Sequence, residues 1–79
     1  MNMITRSDLI TGPGTRPHRV ILYSRGHRFD PYVVHYQAED EGDRWQGTYT
    51  GSIATAAAEF ERRCKSCGVS DERVTPVPA

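Results

Sequence analysis

The chain has little aliphatic material from which to build a core. Two Leu, four Ile, six Val and two Phe are spread over 79 residues, so four Tyr and one Trp must supply much of the buried surface. A domain this small also buries a smaller share of its surface than a larger one. It makes one folding unit, and self-association would relieve its thin core. Long apolar runs are lacking, so no stretch reads as a membrane-spanning helix, and MNMITRSDLI has no h-region of a signal peptide. The expectation is a cytosolic chain with no membrane partner. Two cysteines in that setting stay reduced and are no obligatory disulfide. Excess charge of either sign is lacking too. Ten basic residues balance ten acidic ones, whereas nucleic-acid binding usually shows a basic surplus.

What the chain does have is one stretch with a clear period, SIATAAAEFERRCKSCG at 52–68. Ile53, Ala56, Ala57, Phe60, Cys64 and Cys67 fall on one face of a helix. Ser52 suits the N-cap, Gly68 suits the left-handed position after the last turn, and Glu59→Arg63 and Glu61→Lys65 are i, i+4 pairs in the favourable order.

Ahead of it lie three strand-like segments. HRVILYSR at 18–25 places Val20 and Leu22 on one face and Ile21 and Tyr23 on the other. YVVHYQA at 32–38 sets Tyr32, Val34 and Tyr36 against Val33, His35 and Gln37, and RWQGTYT at 44–50 sets Trp45, Gly47 and Tyr49 against Gln46, Thr48 and Thr50. GHRFDP and EDEGD are the connecting turns. The predicted fold is α+β, a three-stranded antiparallel meander packed by one C-terminal amphipathic helix, with Trp45, Tyr49, Tyr32 and Tyr36 forming the face beneath the helix. Residues 1–17 read as an arm and loop punctuated by Gly12, Pro13, Gly14 and Pro17, 18–68 as the βββα unit, and 69–79 as a tail with a short edge strand over 73–77, limited by Pro76 and Pro78.

Charge is balanced in sum but uneven in place. Arg16, His18, Arg19, Arg25, His27 and Arg28 read either as a basic surface that docks on an acidic partner or as a solvated charged surface, and Glu39, Asp40 and Glu41 sit in the acidic turn, which would give the two ends of the meander opposite signs. Nine of the ten basic residues are Arg, whose planar fork suits carboxylate or phosphate. The face left uncovered by the helix carries Ile21, Tyr23, Val33 and His35, an apolar patch for a homodimer or a partner.

Catalytic constellations are missing. Cys64 and Cys67 make a CxxC, but it closes a helix, where the dipole disfavours a thiolate, and the histidines are not spaced as further zinc ligands. His35 has no nucleophile or carboxylate named beside it, and GPG and GTYTG lack the spacing and the Lys of a phosphate loop. The expectation is a protein that is not an enzyme and needs no cofactor or metal. Strand aromatics and Arg keep a small nucleic-acid-binding regulatory module as the alternative.

The order of strands before a helix resembles the second half of a double-stranded RNA-binding domain, without that domain's N-terminal helix or a basic helix start, so its function is not carried over. A short meander (HRVILYSR, YVVHYQA, RWQGTYT) running into one amphipathic helix (SIATAAAEFERRCKSC) resembles the small phage-type anti-CRISPR proteins directed against type I systems. The likeness lies in size and architecture and transfers no individual residue. It implies a non-enzymatic inhibitor, working in a host bacterial cytosol, that binds Cas subunits of the Cascade complex and blocks target DNA or nuclease recruitment. The acidic turn would then meet Arg or Lys on a Cas subunit, and the Arg loop an acidic one.

Overall fold

A computed structural model describes residues 2–40 and 42–71. Its elements run β1 (Asn2–Arg6), β2 (Ile10–Gly12), β3 (Thr15–Ser24), β4 (Tyr32–Ala38), β5 (Arg44–Thr50) and α1 (Ile53–Cys67). The architecture is the α+β arrangement of an antiparallel sheet packed by one C-terminal helix. The strand count is the correction: among the described residues the sheet has five strands in the order β1-β3-β4-β5, with β2 also on β3.

The extra strands come from the segment read as an arm. β3 is ten residues long, longer than its partner β4, and both halves of its free edge need ladder partners. β1 pairs with residues 21–24 and β2 with the start of the strand. Ser7 closes the gap between them. Its amide donates to Val20 O and its hydroxyl accepts from Val20 N, both at 2.9 Å, so a buried serine completes a ladder that two short strands leave open. An isolated bridge from Ser7 to Asp71, with Thr5 Oγ1 donating to Asp71 Oδ1, ties the chain after the helix to the same edge. The edge strand expected over 73–77 lies outside the described residues.

The helix forms as its sequence dictates. Ser52 Oγ accepts from Thr55 N, and Gly68, at φ 69°, donates its amide to the carbonyls of Cys64 and Lys65. Ala56, Phe60 and Cys64 are buried against Val20, Leu22 and Val34, with Ile4, Ile10, Tyr32, Tyr36 and Val69 at the margin. Ile53, the first member of the stripe, stays about half exposed.

The second correction concerns β5. Tyr36 pairs with Trp45 and Val34 with Thr48, so two residues, Gln46 and Gly47, face the single His35. This is a β-bulge whose first residue, Gln46, sits at φ 53°. The extra residue inverts the alternation beyond it. Trp45 stacks on Tyr36 on the helix side, centroids 6.0 Å apart, but Tyr49, opposite Val33, belongs to the other face and is no part of the core beneath the helix. Thr48 takes its place there, donating to Glu59 Oε2 at 3.1 Å. A Cβ at Gly47 would stand on the His35 imidazole and 2.8 Å from Tyr49 Cε2, so glycine is what lets this strand pass under the ring.

Candidate binding surface

The sheet face opposite the helix is an arginine-framed surface built on a buried apolar row. Ile21, Tyr23 and Val33 form a second core cluster, with His35 beside them. The sequence places these four together on one face, and the structure does the same, but they are not an open patch: Ile21 is 1% and Val33 0% exposed. Long side chains cover them. The Arg44 guanidinium lies 4.8 Å from the Tyr23 ring centroid and that of Arg25 lies 4.8 Å from Tyr49. Tyr49 and Met3 are each about half exposed and are the apolar groups this face shows to solvent.

Register puts Arg6, Arg19, Arg25 and Arg44 on this face, through the pairs Arg6 with Ile21, Arg19 with Gln37 and Gln37 with Arg44 and the Arg25 contact with Tyr49. Among the described residues no strand position of the face carries Asp or Glu. A shallow groove of about 230 Å³ runs between Met3, Arg6, Arg19 and Gln37, with Glu39 at its end. Arg19 is held by donating to Ser7 O at 3.0 Å.

His35 is the polar centre. Its Nδ1 lies 3.0 Å from Tyr23 Oη and its Nε2 3.1 Å from Tyr49 Oη. A neutral imidazole donates at one nitrogen and accepts at the other, so one tyrosine accepts from the ring while the other donates to it. Burial first, then the positive charges of Arg44, Arg63 and Arg25, hold the imidazole below its usual range, which keeps it neutral and the relay intact.

At one end of the sheet the 25–31 loop is tightly tied. His27 Nδ1 accepts from the amides of Phe29 and Asp30 at 3.3 and 2.9 Å. Arg25 Nε donates to Asp30 O at 3.1 Å and Arg25 N to Pro31 O at 2.8 Å. The outcome is a fixed tip bearing Phe29, 73% exposed, with the Arg28 guanidinium 5.6 Å from its ring centroid. Gly51 passes against the back of this loop; a Cβ there would meet Phe29 O at 2.8 Å.

The predicted basic cluster therefore divides. Arg19 and Arg25 join the sheet face and His27 and Arg28 the loop, while Arg16 and His18 lie toward the other end. Arg16 reaches Asp40 at 3.1 Å and Asp43 at 3.3 Å, and the hydrogen bond it donates to the Asp40 carboxylate, foremost, holds its guanidinium more firmly protonated. His18 belongs to an aromatic stack on the helix side, 5.6 Å from Tyr36 and 5.4 Å from Trp45. Glu39 and Asp40 are exposed, and Glu41 lies outside the described residues.

Arg63 is the residue that sequence reading assigned to a surface pair and the structure buries, at 5% exposed. It donates to Gln46 O at 2.6 Å and to Thr48 Oγ1 at 2.9 Å, lies 3.6 Å from Glu59, and sits over the Tyr36 ring at 4.8 Å. Its Nη1 is buried without a hydrogen-bond partner among the described residues. Arg44, Tyr49 and Phe29 also went unread as surface groups, and only Gly47 hinted at the bulge that turns Tyr49 outward. Cys64 and Cys67 are free thiols; burial, foremost, pushes Cys64 up to about 11, an unreactive value. Among the described residues no group of three or more His, Cys, Asp and Glu is placed to hold a metal ion, and no helix is long and apolar enough to cross a membrane.

Compared with protein-family models, with curated proteins and with solved structures, the chain matches none.

Proposed function

We propose that this chain is a non-enzymatic binding protein, a stoichiometric inhibitor that docks through the arginine-framed sheet face onto a carboxylate-bearing surface of a protein complex. Following the architectural resemblance, that complex is a type I Cascade assembly or its recruited nuclease, and the bound chain blocks target DNA or the nuclease. The observation that supports the reading is the composition of the face: Arg6, Arg19, Arg25 and Arg44 surround half-exposed Tyr49 and Met3, with no acid at the strand positions. Tyr and Arg are the residue types that carry most interface energy, and a planar guanidinium fork fits a carboxylate in two-point contact. The acidic turn with Glu39 and Asp40 offers a contact of the opposite sign.

A labelled-duplex mobility shift tests it. The chain alone is expected to leave duplex DNA unshifted and, after preincubation with Cascade, to abolish the Cascade shift. Arg44→Glu with Tyr49→Ala is expected to restore that shift. Unimpaired DNA binding by Cascade in the presence of excess chain, together with intact nuclease recruitment, would overturn the proposal.

A second reading, a small nucleic-acid-binding regulatory module, draws on Tyr49 beneath Arg25 and Phe29 beside Arg28, since exposed rings next to guanidinium groups stack bases and meet phosphates. A direct shift by the chain alone, lost steeply as salt rises, would establish it in place of the first.

A further inference from the structure

The described surface carries both an apolar knob and an apolar trough with opposite charges around them. The knob is Phe29, held out by the His27-capped loop and flanked by Arg28. The trough runs along α1 on the side facing β1. One part, about 260 Å³, lies among Ile4, Leu22, Ile53, Ala57 and Phe60; the next, about 310 Å³, lies among Phe60, Cys64 and Val69, with Lys65 at its side. Glu61 and Asp71 border both parts. A cavity of ~150 Å³ is enough to take up benzene, so either part has room for a phenyl ring.

Three observations make the two features complementary. A ring exposed to this degree leaves apolar surface in water that burial would stabilise. Its loop is already fixed by five hydrogen bonds that involve the backbone, so little ordering entropy is lost when the ring is captured. The charges match, guanidinium beside the knob and carboxylate beside the trough.

We propose that the knob and trough belong together across two copies of this chain: Phe29 of each copy seats in the trough of the other, with Arg28 meeting Glu61. Because every copy bears one of each, the pairing closes as a two-fold dimer when both contacts form within one pair, and an open chain of copies is the outcome if they do not. The surface differs from the Ile21, Tyr23, Val33 and His35 patch expected from sequence, which the structure fills from within the chain. The pairing leaves the arginine-framed face to its own partner and does not rest on the inhibitor reading.

Sedimentation equilibrium of the full chain, over a concentration series, tests the pairing without any Cas component. The expected result is a mass approaching twice the 8.9 kDa chain. Phe29→Ala is expected to weaken association at least ~10-fold, as loss of an interface anchor does, while Phe29→Leu keeps most of it. Arg28→Glu and Glu61→Arg should each weaken it, and the double exchange should restore it. Circular dichroism confirms that each variant remains folded. A mass of 8.9 kDa at the highest soluble concentration would overturn the proposal, as would a dimer indifferent to Phe29→Ala. A dimer that forms only after residues 72–79 are removed would assign the trough to the chain's own end and overturn it equally.

Discussion

Gln46 occupies a backbone conformation, φ 53°, that costs an L-residue other than glycine roughly 1 kcal/mol. Gln46→Gly is therefore expected to raise unfolding free energy by up to about 1 kcal/mol, read as a higher urea midpoint at unchanged slope. The neighbouring position behaves oppositely. Gly47→Ala drives a methyl into the His35 and Tyr49 rings and should destabilise by about 1–3 kcal/mol. His35 gives stability a pH dependence of definite sign. Its folded value is depressed by burial and by Arg44, Arg63 and Arg25, so below the ordinary histidine value of ~6.5 the unfolded chain binds a proton that the folded chain refuses. The contribution is complete above ~6.5, falls as pH drops toward the folded value, and is flat beneath it. Urea midpoints measured from pH 8 to pH 5 should show this fall, and His35→Gln should flatten it. None of the three effects is readable from alternation alone. RWQGTYT alternates without a break in sequence, and what inverts it in space is one extra residue that a pattern of period two does not mark.

At the scale of elements, the helix was legible because cap, stripe and stop agree: Ser52, the Ala56, Phe60 and Cys64 face, and Gly68. Pairing between β3 and β4 was equally plain. β1 and β2 were not, since NMITR and ITG offer too few apolar positions to show a period, and they become strands because the long free edge of β3 needs partners. Arg63 was misread because Glu59→Arg63 is also the spacing of an ordinary surface pair. In the fold it joins the helix to the bulge through Gln46 O and Thr48 Oγ1. Arg63→Ala would take the donor from the Gln46 carbonyl and the Thr48 hydroxyl, while Glu59 keeps Thr48 Oγ1 and Arg62 Nε, and should cost roughly 1–3 kcal/mol, a large fraction of the stability of a domain of this size. Thermal denaturation by circular dichroism checks it. A loss no larger than that of an exposed arginine would show that the guanidinium holds nothing together.

Across the whole molecule the same sheet separates two charges. Arg25, His27 and Arg28 outnumber Asp30 at the loop end, and Glu39, Asp40 and Asp43 are offset only in part by Arg16 at the turn end. β4 between them is seven residues long, or roughly 20 Å at about 3.3 Å per residue. The opposition was readable in the sequence because one strand joins the two turns. The aromatic and arginine surface was not, because it depends on register and on the bulge. The Debye length is ~8 Å at physiological salt and ~30 Å in 0.01 M salt. In dilute buffer the molecule therefore acts as an electric dipole, turning toward a charged body before touching it, and in physiological salt as two independent patches. A chain with no net charge is then expected to associate with a charged partner at a rate that declines with added salt. Stopped-flow association over a salt series, compared with an Arg25→Gln, Arg28→Gln variant, would show a flatter dependence once one pole is removed. Zero net charge thus conceals a strand with opposed charges at its two ends.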